Sequence, residues 1–303
     1  MDSRSLNKIS IIIWAAIALF LTGVLVYGIA EGGITGHRGV TVQKQETVDA
    51  KDLDSIVLDF TSENIIVSAT GTNEIKIVES SSRNLRTSEK FTAVREGNTL
   101  TIKQGKKRQF LSIFNFGDIQ RKIEVVIPES YAGNMETTLS SGNVDLEGNF
   151  TFSSIKSEIN SGNFTAEGAI TANEASIAST SGNVKVGKLA AGTYEINITS
   201  GDIRLGSLSG SGEIKGKSGN ISIGYEGIAG YSSVKTTSGN ITLTVPKDLS
   251  FEFEGYTSSG NLNADFAMTY ENDKKHASAQ VGSGPYKKLT AQVSSGNITV
   301  NRQ

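Results

Sequence analysis

No cysteine occurs in the 303 residues of this chain. Disulfides, thiolate-bound metal and attachment through a lipidated cysteine are therefore all excluded. Histidine is almost as scarce. His37 and His276 are far apart in the chain and in no metal-ligand spacing, which argues against a zinc centre and against a histidine-dependent triad. One-sided charge is lacking too: 29 basic and 31 acidic residues leave a net charge of −2. No global field favours a polyanion, so no nucleic-acid partner is expected. Only 3 prolines are present against 33 glycines, the balance of a turn-rich sheet protein rather than a disordered stalk.

The glycines are placed with regularity. Ser-Gly-Asn or a close relative recurs around Gly142, Gly162, Gly182, Gly201, Gly219, Gly239, Gly260 and Gly296, at spacings of 18 to 21 residues and then one of 36. Two and four residues beyond each glycine lies an apolar side chain, from Val144 and Leu146 to Ile298 and Val300, with polar or small residues between. Period two with one apolar face describes a half-buried strand. A repeat near twenty residues describes stacked turns of chain. The expected fold is all-β: a β-solenoid or β-roll of roughly 20-residue turns, each holding two short strands and two bends.

At each corner the glycine supplies a positive φ or a tight approach. The residue after it is Asn143, Asn163, Asn183, Asp202, Asn220, Asn240, Asn261 or Asn297, a type that bonds to nearby backbone. Stacked, these amides form a ladder, and the corner set is expected to be structural. Calcium-binding rolls need acidic residues at every turn, whereas only Asp202 is acidic here, so no metal or other cofactor is expected.

Before the repeat, residues 9–29 form an uncharged apolar stretch, preceded by Arg4 and Lys8 and followed by Glu31. As a helix it matches a hydrocarbon core about 30 Å thick, and the flanking charge puts the N-terminus in the cytoplasm. The stretch is longer than a secretory apolar region. An uncleaved anchor is therefore the reading, with cleavage near Gly28-x-Ala30 as the alternative. The organisation expected is a cytoplasmic tail (1–8), a transmembrane anchor (9–29), a tether (30–50), a leading and capping β region (51–130) and the repetitive region (131–303). The chain ends directly after a repeat strand with no terminal sorting signal, so attachment is assigned to the N-terminal segment.

Chemistry-bearing residues are thin. Outward positions in the repeat carry Asp145, Lys185 and Arg204, but no paired carboxylates for glycoside hydrolysis; Glu147, Glu158, Glu167 and Glu174 are scattered. The strongest basic run, Lys106, Lys107 and Arg108, precedes the aromatic segment Phe110 to Phe116. It is a candidate contact for an anionic wall polymer or a membrane surface, the alternative being a hairpin loop leading into a buried strand. Lys185 and Arg204 join it as a candidate interaction surface. Between Gly260 and Gly296 the chain has room for two turns with one corner altered. Residues 271–276 there are read as a loop, a candidate binding element.

Ser141-Gly142-Asn143-Val144, Ser181-Gly182-Asn183-Val184, Ser238-Gly239-Asn240-Ile241 and Ser295-Gly296-Asn297-Ile298, set behind a membrane segment, resemble the bacterial putative-adhesin family of LiaG-like envelope proteins. The likeness covers about residues 50–300. It implies a surface-displayed, β-solenoid-like domain, in some members linked with envelope-stress systems, and supplies no catalytic residues. The expected function is non-enzymatic binding or scaffolding at the bacterial cell envelope. The bilayer is engaged through residues 9–29, and a cell-wall glycopolymer or an envelope membrane protein is the candidate partner. A regulatory partner of envelope-stress membrane proteins and a polysaccharide-acting solenoid enzyme remain as alternatives.

Overall fold

The computed structural model describes residues 39–106, 120–271 and 274–303. The expected anchor at 9–29 and the residues Lys107 and Arg108 lie outside them. Among the described residues no helix is long and apolar enough to cross a membrane.

The fold is all-β. In chain order the strands are β1 (Thr41–Asp49), β2 (Ser55–Phe60), β3 (Asn64–Thr70), β4 (Glu74–Ser81), β5 (Thr92–Glu96), β6 (Thr99–Lys103) and β7 (Arg121–Pro128). They continue with β8 (Asn134–Ser141), β9 (Val144–Glu147), β10 (Phe150–Ser161), β11 (Phe164–Ser181), β12 (Val184–Ser200), β13 (Ile203–Ser218) and β14 (Ile221–Ser238). The last are β15 (Ile241–Val245), β16 (Phe251–Ser259), β17 (Leu262–Ala264), β18 (Thr269–Glu271), β19 (His276–Val281), β20 (Lys287–Ser295) and β21 (Ile298–Arg302). Expected strands such as 55–60 and 74–79 fall where the alternation put them. Residues 41–49 of the expected tether are instead a strand, β1, paired antiparallel with β4.

Successive turns stack in parallel and in register, so each residue lies beside its equivalent one repeat away. Phe164 pairs Val184, which pairs Ile203, which pairs Ile221, which pairs Ile241. Each central turn has three sides rather than two. In β11 and β12 the paired stretches are Phe164–Ala166, Ala169–Ala172 and Glu174–Ser181, set apart by breaks in the ladder. The middle side was hidden in the sequence because each copy buries little there. Its inward residues are single large ones with small companions, Ile170 with Ala172 and Leu189 with Ala191.

The inward rows form one continuous core. Of the sixteen apolar positions that follow the corner glycines, fifteen are buried, and Ala264 at the far end is partly so. Each fully buried Val or Ile is worth about 1.5–3 kcal/mol relative to exposure.

Both ends of the stack depart from chain order. At the entry end the outermost turn is β6 and β7, yet β2 and β3 lie inside it, paired with β6 and β7 on one side and with β8 and β9 on the other. The leading region is thus part of the stack as well as its cover; antiparallel strands do the covering, β4 lying between β7 and the edge strand β1, and β5 forming the edge beside β6. At the far end β20 and β21 sit between β14–β15 and β16–β17. The 36-residue interval is therefore not two turns with an altered corner. It holds an antiparallel hairpin, β18 and β19, laid on β16; the chain then returns to fill an inner place. Glu271, which ends β18, and His276, which begins β19, are paired with each other in that hairpin, so the two ends of the expected loop are held against the stack; residues 272 and 273 lie outside the described residues.

Candidate functional site

The corner set builds a single ladder. The eight glycines have φ between +118° and +146°, a region that suits glycine alone. They also touch: a Cβ on Gly182 would overlap the carbonyl oxygen of Gly162, and one on Gly201 that of Gly182. Beside them each asparagine passes a bond to the next turn. The Asn163 backbone N–H and side-chain amide donate to Asn143 Oδ1 at 3.0 and 3.1 Å, and Asn183 repeats this on Asn163 at 2.8 and 3.2 Å. In space the ladder runs Asn64, Asn143, Asn163, Asn183, Asp202, Asn220, Asn240, Asn297, Asn261. Asn64 is a rung the sequence did not advertise, because Glu63 stands where the later copies have glycine. With their amide groups engaged along the stack, these residues work as structure.

A second glycine row was also missed. Gly187, Gly206 and Gly224 stack so closely that a Cβ on each would press on the carbonyl of the turn before. Each lies five residues after a corner glycine, a spacing that was available as a signal.

Lys185 and Arg204 are brought side by side on the outward face. Each already has a carboxylate neighbour, Glu167 at 3.7 Å from Lys185 and Asp202 at 3.1 Å from Arg204. Asp145 lies on the same row, next to Thr165. Partial burial raises its carboxyl above the usual range, and Glu147 and Glu167 push in the same direction against a bond from Thr165. Lys106 belongs to the outermost turn at the entry end, roughly 20 Å away at the strand spacing of a sheet. Among the described residues, Lys106 therefore does not share one surface with Lys185 and Arg204.

Two concentrations of unusual side chains lie at the ends instead. At the entry end charges are buried. Glu63 and Glu79 are fully buried and converge on Arg121, with Arg121 Nη1 at 2.8 Å from Glu63 Oε1 and Nη2 on Glu79. The second oxygen of Glu79 accepts from the Phe91 N–H at 3.0 Å. Nearby, Arg83 holds Glu89 through both oxygens at 2.6 and 3.3 Å. Burial alone would raise the Glu89 carboxyl; bonds from Arg83 and from the Arg86 N–H, with the charge of both arginines, bring it below the usual range.

At the far end aromatic rings are exposed. Tyr231, Tyr256, Tyr270 and Tyr286 are 47%, 42%, 41% and 39% exposed, and all lie in the last three turns of the stack or their hairpin. Tyr231 is level with Lys288, which is level with Glu252, and Tyr286 precedes Lys288 by two residues. Tyr256 is level with Gln292 and with His276, whose ring lies 3.6 Å from Glu254 and 3.4 Å from Glu271. Beside Tyr231 a shallow open groove of 350 Å³ runs over Glu174, Thr193, Glu195 and Glu213. The Glu213 carboxyl is held below the usual range by a hydrogen bond from Lys215 and by its charge. Tyr194 turns inward there, its hydroxyl donating to Ser232 at 2.8 Å, and burial lifts it to about 12. Aromatic faces beside carboxylates and hydroxyls suit a ligand with an apolar ring face and a polar edge.

Solved structures that the chain matches include a putative cell adhesion protein from Clostridium sporogenes, 13% identical over 87% of this chain and 100% of that one, with a TM-score of 0.32. A putative adhesin from Bacteroides fragilis is 14% identical over 87% and 97%, with a TM-score of 0.42. Another from Parabacteroides merdae is 11% identical over 88% and 98%, with a TM-score of 0.44. At these TM-scores the likenesses carry no argument about this chain. No curated protein gave a significant match. The sequence profile of Toastrack DUF4097, by contrast, matches residues 53–301. That span takes in the whole stack from the strands before the first Ser-Gly-Asn corner to the last, so the chain belongs to the Toastrack DUF4097 family.

Proposed function

We propose that this chain is a non-enzymatic binding scaffold of the bacterial envelope, anchored by residues 9–29 and displaying its β stack outside the cell. The observation that carries the reading is the gathering of four exposed tyrosines in the turns farthest from β1, the strand through which the chain enters. Ten strand spacings separate β1 from β21, which corresponds to roughly 50 Å. The anchor holds one end, and the aromatic end reaches outward. Supporting it are the apolar run with its upstream basic residues and the membership in Toastrack DUF4097. The partner proposed for the tyrosine end is a wall glycopolymer: rings stack on sugar faces, while Glu174, Glu195 and Thr193 bond to hydroxyls.

The test uses the full chain in nanodiscs and isolated cell envelope before and after removal of its glycopolymers. Saturable binding that is lost with the glycopolymer, and weakened at least about tenfold by Tyr231→Ser with Tyr286→Ser, supports the reading; two stacking contacts at about 1 kcal/mol each are of that size. Binding lost only when envelope proteins are stripped would transfer the role to a membrane-complex partner. An absence of binding would remove the adhesive role.

A further inference from the structure

The start of β1, the short turn Thr87–Glu89 and the segment at Lys106 meet at one corner of the entry end. Contacts tie them together. The Leu85 N–H donates to the Gln43 side chain at 3.0 Å, and Lys90 Nζ donates to the Gln43 carbonyl at 2.7 Å. The Lys106 N–H donates to the Ser88 carbonyl at 2.7 Å. Gly105 packs so tightly on Glu89 and Lys90 that a Cβ there would overlap their backbone.

This corner is basic and apolar together. Arg86 and Lys106 are exposed and Lys90 is half-exposed. None of the three is within ion-pair distance of a described acidic residue. Of the nearby acids, Glu89 is buried on Arg83 and Glu46 is bound to Lys44 at 2.7 Å, while Asp59 is exposed beside Gln104. Beside the cations stand Val40 and Val42, 45% and 62% exposed. Such a rim of cations around exposed aliphatic side chains is the surface that rests on an anionic bilayer.

The chain itself limits the alternatives. Only residues 30–38 separate the apolar run from Gly39, and nine residues span at most about 32 Å. Val40 and Val42 are among the first three described side chains after that run, so whatever membrane holds 9–29 lies within reach of this corner.

We infer that the corner formed by Val40, Val42, Arg86, Lys90 and Lys106 seats on the headgroups of anionic phospholipids in the leaflet from which the chain emerges. The stack is then fixed upright rather than swinging on its tether. The inference rests on the anchor proposed above. Valines enter the headgroup layer, cations neutralise the phosphates around them, and the tyrosine end is held away from the bilayer.

Because the chain has no cysteine, single reporter sites are available in the full protein. Bimane is placed separately at Ala18→Cys, Val42→Cys and Tyr256→Cys in nanodiscs carrying lipid-borne quenchers. The discs are made of neutral phosphatidylcholine alone or with phosphatidylglycerol. Quenching at 42 should be at least about twofold greater on the anionic discs and should fall as salt is raised. The label at 256 should stay unquenched on both. Arg86→Glu with Lys90→Glu and Lys106→Glu should abolish the difference while leaving quenching at 18 intact. Equal quenching at 42 on both discs, with 18 still quenched, overturns the seat and leaves the anchor standing. A label at 18 that no acyl-chain quencher reaches overturns the anchor, and the seat with it.

Discussion

The two ends of the stack solve the same problem with opposite chemistry. A column of parallel turns leaves raw strand edges and an open core at each end, and both invite association with other sheets. At the entry end the closure is ionic: Glu63 and Glu79 grip Arg121, Arg83 grips Glu89, and Lys44 lies 4.2 Å from the centre of the Phe91 ring. Arg95 also caps the end of β1, donating to the carbonyls of Asp49 and Lys51 at 2.8 and 2.6 Å. At the far end the closure is aromatic. Phe266 stands edge-on to Phe251 and Phe253 at 5.6 and 6.1 Å, and the β18–β19 hairpin lies over β16. A buried ion network is sensitive to the loss of any one member, whereas ring packing loses contact area in proportion. The entry end should therefore be the brittle one.

The largest expected effect tests that brittleness. Arg121→Met strands two buried carboxylates and should cost about 3–5 kcal/mol in chemical denaturation; a loss under about 1 kcal/mol would mean the carboxylates find water. Next comes the middle of the stack, which ought to be independent of both ends. Gly182→Val forces a side chain into the Gly162 carbonyl at a positive φ and should cost about 3 kcal/mol, and an unchanged midpoint would refute the ladder packing. At the far end Phe266→Ala, at a site only partly buried, should cost about 2 kcal/mol. If it proved costlier than Arg121→Met, the order of the two ends would reverse.

Acid should separate the ends without mutation. The Glu89 carboxyl is lowered in the fold, so its stabilising contribution is present above the unfolded carboxylate range and is lost as pH falls through the lower folded value. Hydrogen-exchange protection at the Glu89 and Lys106 amides, relative to their intrinsic rates at each pH, should be lost on acidification before that of β18 and β19, and Arg83→Met should remove the difference. The smallest effect is expected from Tyr231→Ser, which should shift stability by no more than about 0.5 kcal/mol. A larger loss would make that tyrosine a packing residue and weaken its role in binding.

What could be read in advance follows the repeat. Val184 and Val186 announced a strand because the same pattern returns at Ile203 and Leu205 and again at Ile221 and Ile223. The Asn corner was legible for the same reason. Which turn stacks on which was not legible where chain order fails. Gly260 and Gly296 carry the same motif, and nothing local tells that Gly296 rather than Gly260 lies on Gly239. The candidate site shared that fate. Tyr231 and Tyr286 are strangers in sequence and come close in register only because the returned turn lays β20 on β14, just as Glu63, Glu79 and Arg121 meet only through the displaced one. The basic run was noticed as a cluster, but the exposed valines that give its corner a direction belong to a stretch read as tether.

The returned turn also bears on time. During synthesis β16 and β17 leave the ribosome before β20 and β21, yet they have no turn beneath them until those later strands slide into place. Stacking by simple addition must therefore halt at β15, and the closing step is an insertion rather than a deposition. A chain interrupted at 286 would lose an inner rung while keeping its end cover. Two unsatisfied faces would then be left one turn apart, each shaped to accept the same missing turn from another molecule.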